Sequence, residues 1–230
     1  FSMECWGGAT FDVANPMLRD GRLDGILITG NLRPPVMNAL KKLRIVTVAF
    51  GAYSPAVLQG VNNVQSSLEK KSYESVELAL KNGCRSIALF EETPESFSNL
   101  QIYNYIKAAA QEYGIEFRQE NFFRGDGAYS GAMKVMKPVF EQPELSFDSI
   151  ICWDFRTAGE VASLLMGRCG LRKEPDVKIV VSRPYPHFTL PVPALYLEES
   201  GCMIARTGVE FLLEQIKNNS ETTKTIQMKA

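Results

Sequence analysis

The stretch Ser146–Gly170, SFDSIICWDFRTAGEVASLLMGRCG, decides the fold. Its first part, residues 147–153, is an apolar run of branched and aromatic residues, which predicts a short buried strand. Asp154 follows the run and is placed to cap a helix. Apolar residues then recur at helical spacing up to Gly170, which ends the helix. A strand, a turn and a helix in this order predict one unit of an open α/β sheet.

Candidate ligand contacts follow from this unit, because ligands of open α/β sheets bind beyond the carboxyl ends of the strands. Trp153 and Asp154 stand at that end of the predicted strand. Other aromatic and polar residues fall at the ends of other predicted strands: Trp6, Asn31, Tyr53, Arg183 and Tyr185. Aromatic faces with a few polar groups suit a small polyhydroxylated or planar ligand. A structural interpretation stays open for each, with Trp153 in the core and Asp154 as a helix cap only.

Composition narrows the function classes. The 230 residues are 45% hydrophobic and 22% charged, with a net charge of −1, which is typical of a globular protein. The sequence has no Lys/Arg cluster, so we do not expect this chain alone to bind nucleic acid. It also has no apolar run near the ~20 residues that span a bilayer. Its five cysteines are odd in number and widely spaced, which favours reduced thiols in a cytoplasmic protein.

Catalytic and metal-binding motifs are missing from the sequence. The only histidine, His187, lies in a proline-bound run, and Ser130 is not in a GxSxG elbow, so a Ser-His or Cys-His pair is not expected. The glycines of GDGAYSG (125–131) have the wrong spacing for a dinucleotide-binding loop and predict a plain turn. No two histidines or cysteines lie close enough in sequence for a metal site. We therefore predict no enzyme activity, no cofactor and no metal.

The rest of the chain alternates between predicted strands and helices, which indicates parallel sheets with crossover helices. Residues 52–67 are rich in Gly, Pro and Asn and are predicted to be a loop with at most a short strand. This loop is the best candidate for a crossover between two subdomains. A second crossover is predicted near residues 194–200.

Seven segments together carry a family resemblance: LDGILITG (23–30), ELALKNGCRSIALF (77–90), QIYNYIKAAAQEYGI (101–115), GDGAYSGAMKVM (125–136), DSIICWDFRTAGEVASLL (148–165), DVKIVVS (176–182) and PALYLEESGCMIARTGVEFLLEQI (193–216). In their order and spacing, the chain from about Leu23 to Met228 resembles the effector-binding domain of the lac repressor (LacI/GalR) family of transcription regulators. That domain is akin to type I periplasmic sugar-binding proteins.

The resemblance implies an α/β fold of two Rossmann-like subdomains, each with a parallel sheet flanked by helices, joined by a hinge. The implied N-terminal subdomain is 1–68 plus 199–222, with its first βα unit missing, and the C-terminal subdomain is 69–198 plus 223–230. A small effector, expected to be a carbohydrate or a derivative, would bind between the subdomains and control a helix-turn-helix DNA-binding domain that this chain lacks. A homodimer is expected, since such regulators read paired half-sites.

The resemblance also assigns effector-facing positions, and several of them depart from the family pattern. The family's sugar-binding arginine falls on Gln101, and its Asn-Asp pair falls on Trp153-Asp154. Arg183 and Tyr185 replace acidic residues of a ligand loop, and the aspartate at the first crossover falls near Lys70. Two more positions that face the effector in relatives are Phe97 and Glu199. A pocket with these replacements is expected to accept an anionic or more apolar ligand than a standard neutral sugar.

Two other functions stay open on the sequence. A periplasmic solute-binding protein of transport or chemoreception would share the fold, and a leader peptide before Phe1 would favour it. An enzyme on a doubly wound sheet is disfavoured by the missing catalytic residues.

The strand ends and the family resemblance together give the predicted ligand-binding set: Trp6, Tyr53, Phe97, Gln101, Trp153, Asp154, Arg183, Tyr185 and Glu199.

Overall fold

The computed structural model describes residues 22–29, 34–43, 45–92, 97–126, 131–170, 175–182, 189–197, 201–218 and 223–228. In chain order their elements are β1 (Gly25–Thr29), α1 (Pro34–Lys42), β2 (Val46–Phe50), α2 (Pro55–Leu58), β3 (Asn62–Ser66), α3 (Leu68–Lys81), β4 (Ser86–Glu91), α4 (Phe97–Tyr113), β5 (Glu116–Arg124), α5 (Gly131–Phe140), β6 (Ser149–Cys152), α6 (Phe155–Cys169), β7 (Lys178–Val181), β8 (Ala194–Tyr196), α7 (Gly201–Asn218) and β9 (Thr225–Met228). The alternation of strands and helices is the one that the sequence predicts.

The chain divides into two compact units. Unit 1 runs up to Ser66 and takes in residues 200–229, and unit 2 is made of residues 67–199 and residue 230. Each unit has its own parallel sheet, with strand order β1-β2-β3-β9 in unit 1 and β5-β4-β6-β7-β8 in unit 2. The predicted fold class, α/β with two parallel sheets flanked by helices, is confirmed.

Residues 62–66 form β3, an inner strand of the unit 1 sheet, inside the segment that the sequence predicts to be a loop with at most a short strand. Some of its polar side chains are paired nearby, because Asn62 Oδ1 accepts a hydrogen bond from the backbone of Lys224 (3.0 Å) and Asn63 donates to Gln65 Oε1 (3.2 Å). The assignment of residues 223–230 to the C-terminal subdomain is wrong, since β9 pairs with β3 of unit 1.

Close packing joins helix α7 to the sheet of unit 1. Phe211 and Leu212 are buried against Val48 and Val64 of the sheet. A Cβ atom built on Gly208 would lie only 1.9 Å from the ring of Phe50, so a larger residue here would require that ring or the helix to move. The glycine therefore sets the distance between helix and sheet.

Unit 2 is built around the stretch that opens the sequence argument. Strand β6 lies in the middle of the five-stranded sheet, and Ile150 and Ile151 on its two faces are fully buried. Helices α5 and α6 cover one face, where Ala158, Val161 and Leu165 of α6 pack on the strands. Apolar residues at helical spacing thus meet a strand that is apolar on both faces, as parallel sheets covered on both sides require.

None of the described helices is both long and apolar enough to cross a lipid bilayer. Among the described residues, the thiols of Cys84, Cys152 and Cys169 are free, and the first two are buried. Burial raises the pKa of Cys84 and Cys152, so both thiols stay protonated and act as small apolar groups.

Candidate functional site

A row of side-chain positions crosses the carboxyl edge of the unit 2 sheet, and the strand register defines it. Arg124 at the end of β5 pairs with Glu91 at the end of β4. On the other side of β4, Phe90 pairs with Cys152 of β6. The next residue in β4 is Glu91, and Trp153 directly follows β6, so both lie at the end of the sheet one residue beyond this last register pair.

The same register continues the row into β7. Cys152 pairs with Val181, and the amide of Ser182 donates to the carbonyl of Cys152 at 3.1 Å. Ser182 therefore lies next to Trp153 at the end of the sheet. We call Arg124, Glu91, Trp153 and Ser182 the carboxyl-edge row.

Glu91 is the most unusual member of the carboxyl-edge row. Its side chain is 3% exposed, and its Oε1 atom has no hydrogen-bond partner among the described residues. Burial raises the pKa of Glu91 to about 8, against which the positive charge of Arg124 acts only partly. Sequence reasoning missed this residue because it forms the last position of a strand whose other residues are ordinary core.

Trp153 is half-buried, and it is not among the residues of the apolar cluster that α5 and α6 form with one face of the unit 2 sheet. Its neighbour Asp154 caps helix α6, because Oδ1 accepts from the backbone of Thr157 at 2.9 Å and Oδ2 from its hydroxyl at 2.8 Å. The capping interpretation of Asp154 is correct as far as these bonds go. Each carboxylate oxygen keeps further acceptor capacity, so a ligand hydroxyl could still bind there.

A second buried hydroxyl group, that of Ser75, lies next to Ser182. The hydroxyl of Ser182 lies 2.8 Å from that of Ser75 on helix α3, and both side chains are fully buried. The Ser75 hydroxyl also lies 2.8 Å from the carbonyl of Lys71, whose own side chain is only 2% exposed. The first turns of α3, directly after the crossover from unit 1, thus bring buried polar groups to the edge of β7.

Helices that start at this edge add two more features. Phe97, the first residue of α4, is 40% exposed, and Gln101 one turn later is half-buried. Arg156 in the first turn of α6 forms an ion pair with Glu92, which directly follows β4, and lies 3.5 Å from Glu160. An exposed aromatic ring and an ion-paired arginine therefore lie at the carboxyl edge.

The predicted site residues divide into three groups. Phe97, Gln101, Trp153 and Asp154 all belong to unit 2 and lie at the carboxyl edge of its sheet or in the helices that start there. Tyr53 belongs to unit 1, where it follows β2 and donates its hydroxyl to the carbonyl of Phe50 at 2.7 Å. The remaining four lie outside the described residues: Trp6, Arg183, Tyr185 and Glu199.

No group of three or more His, Cys, Asp or Glu side chains with the placement of a metal site occurs in the described part of the chain. The edge carries instead an aromatic ring, a buried carboxyl group, a hydroxyl pair and a helix-capping carboxylate. Such a set can stack on a small molecule and exchange hydrogen bonds with it.

Neither a protein-family model nor a curated protein sequence matches this chain. Solved structures do. The transcription regulator CcpA of Lactococcus lactis is 17% identical, with a TM-score of 0.77 over 94% of this chain and 78% of that one. The transcriptional regulator CelR, solved with cellobiose, is 16% identical, with a TM-score of 0.76 over 92% of this chain and 64% of that one. A LacI family transcription regulator from Clostridium acetobutylicum is 15% identical, with a TM-score of 0.71 over 89% and 75%.

At these identities the likeness concerns the fold. The chain has the two-unit α/β fold found in LacI-type transcription regulators, and this agrees with the resemblance read from the sequence.

Proposed function

We propose that this chain is the effector-sensing domain of a cytoplasmic transcription regulator of the LacI type. The observation that carries the proposal is the carboxyl-edge row, where half-buried Trp153 stands between the buried Glu91 and the buried Ser182 in a fold shared with such regulators. The domain binds a small molecule at this edge and performs no catalysis.

The proposed effector is a sugar or a sugar derivative. A ring such as that of Trp153 stacks on the apolar face of a sugar, while carboxylates and hydroxyls exchange hydrogen bonds with its hydroxyl groups. Among the structures of similar fold, one is a complex with cellobiose and another is a putative ribose operon repressor from Burkholderia thailandensis. These descriptions concern those proteins and support the same ligand class here.

The proposed mechanism is a shift between two states of the domain. In it, the effector binds at the carboxyl edge of the unit 2 sheet and changes the DNA affinity of a helix-turn-helix domain in the same regulator. It can do so only to the extent that it binds one state better than the other. We propose further that the regulator acts as a homodimer, which would place two such DNA-binding domains on paired half-sites.

A thermal-shift screen of the purified chain tests the proposal. The panel contains neutral sugars, amino sugars, sugar acids, sugar phosphates and, as a different class, nucleobases. A ligand that binds only the folded state stabilises it by about 2.7 kcal/mol at a hundredfold excess over Kd. We expect a sugar-class compound to raise Tm, and Trp153→Ala to reduce that rise.

Two results would contradict the proposal. A response to nucleobases alone would show that the ligand is not a sugar. A Tm rise that Trp153→Ala leaves unchanged would show that the ligand binds elsewhere. A mobility-shift assay with the whole regulator and its upstream DNA then tests the regulatory part, since the effector should change the amount of bound DNA.

A further inference from the structure

The buried polar side chains in the strands of unit 2 are paired, with one exception. Ser149 donates to the carbonyl of Ser86 at 3.1 Å, and Ser182 is bonded to Ser75. Asn121 donates to the carbonyl of Ser146 at 3.3 Å and accepts from its hydroxyl at 2.6 Å. Glu91 is the exception among the described strand residues of unit 2, because its Oε1 atom is buried and without a partner. An unpaired buried carboxyl destabilises the fold, so its presence is better explained by a function than by stability.

Arg124, the register neighbour of Glu91, does not neutralise it. The guanidinium of Arg124 lies 4.5 Å above the ring of Phe122, two residues back along the same strand. Arg124 is itself exposed, so water screens its charge. Its position explains why the neighbouring cation leaves the Glu91 carboxyl unpaired.

The position of Glu91 connects it to the proposed effector site, on which this inference rests. Glu91 ends β4 and Trp153 directly follows β6, so both come one residue after the last register pair of these strands, Phe90 with Cys152, at the edge where ligands of open sheets bind. We infer that Glu91 is a specificity-determining residue of this site, and that it accepts a hydrogen bond from a hydroxyl or amino group of an effector that contacts Trp153.

This assignment selects a class of effector. Hydroxyl and ammonium donors favour the ionised form of Glu91, whose unpaired burial otherwise raises its pKa to about 8, whereas carboxylates and phosphates disfavour that form and are repelled by it. The effector is therefore a neutral or amino-bearing polyhydroxylated molecule at the Glu91 end of the site. This differs from the sequence-based expectation of an anionic or more apolar ligand, which took Arg183 and Trp153 into account and not Glu91.

Isothermal titration of matched sugars tests the inference. The probes share one skeleton and differ in charge: glucose, glucosamine, glucuronate and glucose 6-phosphate, with ribose and cellobiose as other neutral skeletons. The proteins are the unmodified chain, Glu91→Gln, and the control Asn121→Ala, which removes a buried polar group of the same sheet that faces Ser146 rather than the row. Circular dichroism confirms that each variant is folded.

We expect a neutral or amino sugar to bind the unmodified chain at least tenfold more tightly than its acidic counterparts. Glu91→Gln should weaken that binding at least tenfold, because a charge-assisted hydrogen bond becomes a neutral one. Asn121→Ala should leave the affinity within twofold. Tighter binding of glucuronate or glucose 6-phosphate than of glucose would overturn the inference, as would an affinity that Glu91→Gln leaves unchanged. Silence of every probe toward the unmodified chain would overturn the proposed sugar-sensing function itself.

Discussion

The two edges of the unit 2 sheet differ in how their polar side chains are paired. At the amino edge, Asp148 accepts hydrogen bonds from the backbone of Arg85 (2.8 Å) and of Ser86 (3.1 Å), so one carboxylate joins β6 to the start of β4. Lys178 at the start of β7 donates to the carbonyl of Asn82 at the end of α3. The polar groups of this edge serve the fold by tying loops to strands.

Arg168 is also paired within the fold, and it lies beside an open cavity of about 790 Å³ at the amino edge. Its guanidinium donates to the carbonyls of Phe140 (2.8 Å) and Pro143 (2.9 Å), and it lies 3.5 Å from the carboxylate of Asp176. These contacts hold the end of α5 against α6, so the arginine that lines the cavity already has partners within the fold.

The carboxyl edge also has paired polar groups, such as Asp154 and the Ser75–Ser182 pair, but three of its residues differ from those of the amino edge. Glu91 is buried with an unpaired oxygen, Trp153 is half-buried, and Phe97 is 40% exposed. None of these arrangements is the most stable choice for the isolated fold. The difference teaches that polar groups in a sheet are informative where they are unsatisfied, since satisfied ones are accounted for by structure.

Loss of the Asp148 hydrogen bonds at the amino edge should lower the free energy of unfolding, and this is the largest effect that we expect. Asp148→Ala removes two charge-assisted hydrogen bonds and leaves two amides at the start of β4 without that partner, so we expect a loss of about 2–4 kcal/mol of unfolding free energy. Urea denaturation measures it. Exposed Glu144, near the same edge, provides the control, and Glu144→Ala should change the stability by less than about 0.5 kcal/mol. A loss for Asp148→Ala as small as that of the control would contradict a structural role for this edge.

Glu91→Gln should do the opposite and stabilise the protein, by about 1–3 kcal/mol at pH 8.5. The folded pKa of about 8 lies above the ordinary value of 4.5, so the folded state binds the extra proton. Stability from this group is therefore complete below pH 4.5 and falls as the pH rises toward 8.

Denaturation curves at pH 5 and pH 8.5 test this sign. The unmodified chain should lose stability over this interval relative to Glu91→Gln, and the two should be nearly equal at pH 5. A stabilisation that is independent of pH would mean that Glu91 is ionised when folded at both pH values, which would contradict the uncompensated burial.

Much of the fold follows from local sequence patterns, and residues 146–170 show why. A run that is apolar on both faces fits a central strand, and the periodic apolar face of α6 fits only a helix packed on it. The asparagines of β3 illustrate the limit. Their strand forms because neighbours in space, Lys224 above all, supply hydrogen bonds that no local pattern contains.

The candidate site was only partly predictable for a related reason. Trp153 and Asp154 could be found because they follow a strand whose end is visible in the sequence. Glu91 could not, since its importance depends on burial and on a missing partner, which are properties of the packed sheet. The pairing of Ser75 with Ser182, 107 positions apart, was equally invisible.

The carboxyl edge can be tested directly with Trp153→Ala. If the ring stacks on the effector, the variant should bind the sugar found in the screen more weakly by about 1–2 kcal/mol, or roughly tenfold. Because the ring is only half-buried, the variant should lose less stability than the ~3–5 kcal/mol of a core tryptophan. Titration and urea denaturation of the same preparation separate the two effects. Unchanged affinity with a large loss of stability would assign Trp153 to the core.

The smallest expected effect belongs to Gln101→Arg, which introduces the residue type that the family resemblance assigns to this position. Gln101 is half-buried near the start of α4, so a longer cationic side chain can be accommodated without opening the core. The new guanidinium offers donors to sugar hydroxyls, and we expect neutral sugars to bind about two- to tenfold more tightly. Gln101→Lys, which adds the charge without the planar fork, should gain less. If neutral sugars gain nothing from Gln101→Arg, residues such as Glu91 and Trp153 govern the specificity of the edge, and restoring a single arginine cannot return it to the ordinary pattern.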